Sequence, residues 1–346
     1  MAYKYKHFIP QNTAPDGAKS IGVYKDGVKV ADIPLGRMTP PTKEKLYSFG
    51  LVSDIHLYPI AAVDWTPETK FDNALALFES YGCSFCIVSG DLTQTGLYLR
   101  TNESTAGTEY LDERQMAKYK ELCDKHTIPV YELMGNHESY YSKPISNNLA
   151  LMQTYTGNSA LSYAVTQGND VFILCGQPRD AAVMSDEDFA WLGNTLEANK
   201  GKRCFVFVHS HIDDNVEGGV EDSGNPAFAR ENSIFGYWGA EKTQNFINLM
   251  KQYPNVILFH GHTHIMFEAQ KFDREANYSE ENGFKSVHVP SCGSPRELTS
   301  ADGTWVGRSK ESQGYVVDVY DDCIVLNGMD LINNEFVPLG VYRIET

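Results

Sequence analysis

The segment YSFGLVSDIH, residues 47–56, decides the fold. An apolar run that ends on an acid and a histidine two residues apart predicts a buried strand delivering polar groups at its carboxyl end. Moving outward, the same arrangement recurs. SFCIVSGD (84–91) ends at Asp91, and IPVYEL (128–133) runs out into Gly135, Asn136 and His137. RCFVFV (203–208) delivers His209, and NVILFHG (255–261) leads to His262 and His264.

Helical stretches separate these runs. Thr66 as N-cap and Pro67 at the first helical position open a helix whose buried stripe is Phe71, Leu75 and Phe78. A charged helix is expected roughly from Tyr110 to Lys125, and another begins at Ser185 with three acids in its first turn. Short apolar strands alternating with helices predict an α/β layered domain. LSYAVTQGNDVFILCG (161–176) reads as two antiparallel strands about a Gly-Asn turn, and residues 212–240 read as a loop over the strand ends. Beyond Lys285 the chain is strand-like, with GYVVDVY, CIVLNG and FVPLGVYRI as its clearest runs. The expected organisation is an N-terminal appendage (1–45) carrying a hairpin turned at Asp26-Gly27, a core domain (46–300) and a C-terminal strand extension (301–346). The hairpin offers an edge through which copies of the chain can pair.

Composition narrows the function. Hydrophobic residues make up 42% and charged residues 21%, as in an ordinary globular protein. The formal charge of -16 argues against nucleic acid as a partner, although two bound divalent cations would reverse the field locally. No apolar run approaches a membrane span, and the first residues lack the apolar core of a signal peptide, so a cytoplasmic protein is expected. Seven irregularly spaced cysteines form no disulfide framework, and Cys86, Cys175 and Cys204 read as buried thiols.

Ligands in open α/β sheets gather at the carboxyl ends of strands, so the five motif positions can converge. In extended chain, residues two apart face one side, which lets Asp54 pair with His56 and His262 with His264. Imidazole, carboxylate and amide oxygen together suit borderline divalent metals, and a carboxylate can bridge two of them. Asp91, midway in the motif order, is the best candidate for the bridge. His211 competes with His209, because it lies two residues on and faces the same way in an extended chain. Arg296 is either a phosphate contact or one half of a surface salt bridge. His288, outside any motif, reads as an ordinary core or surface histidine.

The set D-x-H (54–56), G-D (90–91), G-N-H-E (135–138), His209 and G-H-T-H (261–264) resembles the calcineurin-like metallophosphoesterases. The trailing PSCGSPR (290–296) is similar to the cyclic-nucleotide-phosphodiesterase-like (class III) branch. The resemblance implies a four-layer α/β/β/α sandwich of two mixed β-sheets flanked by helices, with a strand-rich C-terminal extension. It implies two divalent transition-metal ions, manganese, iron or zinc. One would be held by Asp54, His56, Asp91 and His264, the other by Asp91, Asn136, His209 and His262. His137 would be catalytic, contacting the phosphate and protonating the leaving oxygen, with His211 and Arg296 as further substrate contacts. The reaction implied is in-line attack of a hydroxide between the ions on a phosphate ester, a phosphodiester in preference, in a small molecule or nucleotide. The alternatives are a phosphomonoesterase or protein phosphatase, or a binding or assembly protein that retains the core. Two departures stand out: Gln94 replaces the acid that orients the catalytic histidine in many members, and Glu138 replaces the commoner Asp.

Overall fold

A computed structural model describes residues 20–25, 28–34, 41, 43–57, 66–94, 108–139, 145–176, 184–212, 234–272, 277–280, 282–299, 305–308 and 310–346. Strands β1 (Ser20–Lys25) and β2 (Val28–Pro34) form the expected antiparallel hairpin. Its Asp26-Gly27 turn lies outside the described residues.

The first large sheet contains β3 (Lys45–Val52), β4 (Cys86–Val88) and β5 (Val130–Glu132), all parallel. The second contains β6 (Ser162–Gln167), β7 (Asp170–Cys175), β8 (Cys204–Phe207), β9 (Val256–His260), β10 (Tyr278–Ser279) and β11 (Lys285–His288). Its four central strands, in the order β11-β9-β8-β7, are parallel, and β10 and β6 close the edges antiparallel. A separate two-stranded ribbon pairs β12 (Arg296–Leu298) with β13 (Trp305–Gly307). The C-terminal region completes the first sheet: β14 (Gln313–Tyr320) pairs antiparallel with β3, and β15 (Cys323–Asp330) with β14. Two short strands, β16 (Glu335–Phe336) and β17 (Tyr342–Glu345), pair with β15.

Alternation along the strands sorts side chains into three apolar layers. Phe49 and Leu51 of β3 meet Phe172, Phe205, Phe207 and Phe259 of the other sheet between the two. Val52 and Val88 face helices α1 (Pro67–Ser80) and α2 (Thr108–Asp124), contacting Phe71, Phe78 and Tyr119, with Met152 of α3 (Ile145–Thr156) in the same layer. Val206 and Leu258 face α4 (Asp186–Ala198) and α5 (Ile234–Lys251) through Leu192, Leu196 and Phe246. Strands with two apolar faces need cover on both, and the result is the expected α/β/β/α sandwich.

Local signals act as anticipated at several ends. Thr66 caps α1 and accepts from the Thr69 N–H, and Ser185 caps α4. Two expectations change. α5 begins at Ile234, inside the stretch read as loop, and residues 213–233 of that stretch lie outside the described residues. FVPLGVYRI is no continuous strand: a 3-10 turn at Pro338–Gly340 interrupts it, since proline has no N–H to donate to a ladder. The charged helix is present as expected, from Thr108 to Asp124. Among the described residues, no helix is long and apolar enough to cross a membrane.

Candidate metal centre

The carboxyl ends of β3, β4, β5, β8 and β9 point to one place, and the loops leaving them are tied together. The Asp54 N–H donates to Gly90 O at 3.1 Å, that of His56 to Asp91 O at 3.0 Å, and that of Gly261 to His209 O at 2.9 Å. Within this knot each acid uses its oxygens unequally. Asp54 Oδ2 accepts the His262 N–H and Asp91 Oδ1 accepts the His137 N–H, both at 2.9 Å. The second oxygens, Asp54 Oδ1 and Asp91 Oδ2, are buried and make no hydrogen bond. They face imidazole nitrogens instead: Asp54 Oδ1 lies 3.1 Å from His264 Nε2, and Asp91 Oδ2 lies 3.0 Å from His209 Nε2 and 3.7 Å from His56 Nε2.

Two groups of convergent ligand atoms result: Asp54, His56, Asp91 and His264, and Asp91, His209 and His262. Asp91 belongs to both. His56 Nε2 and His264 Nε2 are 2.9 Å apart, and His262 Nδ1 and His209 Nε2 are 3.2 Å apart. Two nitrogens each about 2.1 Å from a common ion and at right angles to one another are separated by about 3 Å, so these spacings fit divalent metal. The far nitrogens fix the tautomers: His209 Nδ1–H donates to Ser89 O at 2.8 Å and His264 Nδ1–H to Ser294 O at 2.9 Å, turning each Nε2 inward. Asn136 is buried on the β5 loop beside Gly135, whose absent Cβ would stand 2.1 Å from Asp91 Oδ1. Gly261 is equally forced, since a Cβ there would meet Ser53 Oγ at 1.9 Å.

Backbone strain marks the same residues. Asp54, His56, Asp91, His262 and His264 have φ between 51° and 74°, and among the described non-glycine residues only Asn334 shares that left-handed conformation. Such residues cost about 1–3 kcal/mol each and persist where surrounding structure over-determines them. Charge has a comparable pattern. Burial alone would raise the Asp54 carboxyl, but the imidazoles of His264 and His209 hold it well below the usual range. Asp91 is likewise held down, against burial, by His209 and His137. Burial lowers His56 and His264, the latter with help from the Arg296 charge. Burial would also lower His209, yet Asp91 and Asp54 push it up to about 10, so an ion entering beside it displaces a proton.

The remaining anticipated residues surround this cluster. His137 Nε2 is 3.9 Å from Asp91 Oδ2, and its Nδ1–H donates to the backbone carbonyl of Gln94 at 3.1 Å. At the position where many members carry the orienting acid, it is the main-chain carbonyl of Gln94 that accepts from the ring. His211 is buried and stacks on His262, with ring centroids 5.9 Å apart, outside both ligand groups. Arg296 is half-buried and lies over the Trp305 ring, with Cζ 4.4 Å from its centroid.

Sequence reading missed several supports. Glu138 is buried and accepts the backbone N–H groups of Asp91, Thr93 and Gly135 at 3.1, 2.9 and 2.7 Å, clamping two ligand loops together. Ser291 Oγ and the Gly293 N–H both donate to Asp54 O, and the buried ammonium of Lys70 donates to Gly293 O at 2.8 Å. His288 Nε2 lies 2.8 Å from Thr263 Oγ1, between the two histidines of the last motif. Apart from the Gly135–Glu138 bond, these supports join residues distant in sequence.

Solved structures share this architecture. A dimetal phosphatase from Danio rerio has a TM-score of 0.57 at 14% identity, covering 87% of this chain and 99% of its own. Purple acid phosphatase PPD1 from yellow lupin seeds also scores 0.57 at 14% identity, covering 89% of this chain and 55% of its own. GAP50, the anchor in the inner membrane complex of Plasmodium, scores 0.52 at 12% identity over 87% and 89%. A search among curated proteins returns no match. The family profile described as calcineurin-like phosphoesterase matches residues 47–266, from β3 through the last histidine motif, and the chain belongs to that family.

Proposed function

We propose that this chain hydrolyses a phosphate ester, a phosphodiester in preference to a monoester, at a two-ion centre. The observation that carries the reading is the sharing of Asp91 between two convergent ligand groups. Asp54, His56, Asp91 and His264 would hold one ion, and Asp91, Asn136, His209 and His262 the other. When bound, such a pair supplies an activated water and the positive charge that stabilises an in-line displacement at phosphorus. The family's dinuclear centre and the ionised, buried carboxylates of this chain both support it.

The protein's own groups divide the remaining work. Asp91 and Asp54 fix the loops with one oxygen and offer the other to the ions. His137, held by Gln94 O at Nδ1, presents Nε2 beside the cluster. Burial pushes that imidazole down to about 4, so it is neutral in the resting protein; the negative charge of a bound phosphate raises it towards the protonated form a leaving oxygen needs. Arg296 and His211 would be further contacts of the phosphate. The preference for diesters rests on the similarity of PSCGSPR to the class III branch, which is analogy. Seven free thiols suit a cytoplasmic protein, and manganese, iron and zinc all suit these donors.

The test is a manganese-supplemented assay comparing bis(p-nitrophenyl) phosphate with p-nitrophenyl phosphate. Faster diester turnover is expected. Faster monoester turnover would overturn the preference, and hydrolysis of neither, in protein that holds metal, would favour a binding or assembly role.

A further inference from the structure

We infer that Lys70 is a positioning residue whose buried ammonium pins the Gly293–Ser294 peptide. Through that peptide it orients His264 and steadies Asp54 for the ion that Asp54, His56, Asp91 and His264 would hold. This rests on the two-ion reading above and adds to it a helix residue that lies outside the family motifs.

Lys70 closes the first turn of α1, where its N–H donates to Thr66 O at 3.0 Å. The side chain is buried with its charge. Both circumstances disfavour a cation: the start of a helix carries the positive end of its dipole, and an ammonium taken from water loses its hydration. Burial pushes the group down to about 8, which leaves it charged at neutral pH. The ammonium reaches Gly293 O at 2.8 Å.

Gly293 belongs to a loop laid along the strand end that carries Asp54. The Cys292 N–H donates to Ser53 O at 2.9 Å, the Gly293 N–H to Asp54 O at 3.0 Å, and Ser291 Oγ to Asp54 O at 2.8 Å. A Cβ on Gly293 would stand 1.7 Å from Ile55 O, so only glycine fits, and glycine gives the peptide after it freedom to turn. Two bonds stop that turning. Lys70 takes the carbonyl of the Gly293–Ser294 peptide, and Ser291 Oγ accepts its N–H at 2.8 Å. The next carbonyl, Ser294 O, accepts from His264 Nδ1–H at 2.9 Å, which turns Nε2 inward. The peptide plane that Lys70 holds therefore sets the acceptor that fixes the His264 tautomer. Asp54 and His264 share a ligand group with His56 and Asp91, whereas the group of Asp91, His209 and His262 contains neither. Without the Lys70 donor the Gly293 carbonyl is left buried and unsatisfied. A flip of the peptide relieves that at the expense of the Ser294 N–H bond and the aim of Ser294 O.

The first measurement is NMR on metal-free full-length protein labelled at the histidine nitrogens, with His264 assigned through His264→Gln. The parent should show His264 as one Nδ1–H tautomer. Lys70→Met removes the donor while keeping the length of the side chain, and should mix the two tautomers. Leu75→Ala, a cavity in the same helix, should lower stability without mixing them. The second measurement titrates manganese into the same proteins. One of the two ion affinities should fall about 10–100-fold in Lys70→Met while the other stays within about threefold, and Leu75→Ala should keep both within about threefold. A His264 signal in Lys70→Met that matches the parent would overturn the inference, as would manganese affinities that fall together or not at all. Should Lys70→Met not fold, Lys70→Gln, whose amide is one bond short of the Gly293 carbonyl, carries the same expectations and the same refutations. A parent that takes up no metal sinks the two-ion reading, while the His264 comparison still decides whether Lys70 positions the ring.

Discussion

The Asp91 carboxylate receives the His137 backbone N–H on Oδ1 at 2.9 Å, which turns Oδ2 towards His209 Nε2, 3.0 Å away. One acid thereby fixes the His137 loop and belongs to both convergent groups. Asp91→Asn keeps an acceptor for His137 but removes the charge and sets an amide against the imidazoles. Turnover should fall by at least about a thousandfold, with loss of the paired ions and an unchanged circular dichroism spectrum. Normal kcat/KM in this variant would contradict the shared role.

His137 is assigned to proton transfer, outside the ligand set. His137→Ala should retain the full metal content while kcat drops by about 10²–10⁴-fold. Metal analysis beside steady-state kinetics checks this, and loss of an ion in the variant would move His137 into the ligand set.

Glu138 gathers three backbone N–H groups and the Thr93 hydroxyl on one buried carboxylate. Glu138→Gln turns an NH2 group towards one pair of these donors, leaving them unsatisfied. Destabilisation of about 2–4 kcal/mol is expected, with weakened metal binding as the Asp91 loop loosens. Urea unfolding and metal titration of the variant measure both.

A pH effect arises away from the metal centre. Glu132 is buried, accepts from Tyr119 Oη at 2.9 Å and from Asn158, and burial pushes its carboxyl up to about 7. Between its ordinary value of 4.5 and about 7 the folded state binds more protons than the unfolded chain, so this group's contribution falls as pH rises through that window. Glu132→Gln should remove that decline and leave the protein more stable at pH 8 by roughly 1–3 kcal/mol. Parallel pH–stability curves of parent and variant would test it; curves of identical shape would refute the assignment.

Much of this molecule is legible in sequence because strands covered on both faces leave continuous apolar runs, and a polar residue ending such a run has few reasons to be there. That logic placed Asp54, His56, Asp91, Asn136, His262 and His264 at one end of the sandwich, where they lie. The structure brings His209 into a ligand group and sets His211 against the His262 ring, a distinction that strand periodicity alone leaves open. The supports were illegible for a different reason. The Glu138 clamp, the Gln94 carbonyl and the Lys70 bond to Gly293 each depend on how separate segments meet, and no local period encodes that. The left-handed backbone of Asp54, His56, Asp91, His262 and His264 is invisible too, since none is glycine. In FVPLGVYRI the break falls at Pro338, which has no N–H to continue a ladder.

The central claim is that two ions share the Asp91 carboxylate. Metal content, measured on chelator-stripped protein reconstituted with manganese, iron or zinc, tests it most directly. Two ions per chain are predicted for the parent and fewer for Asp91→Asn. No bound transition metal after reconstitution, or equal content in parent and variant, would contradict it.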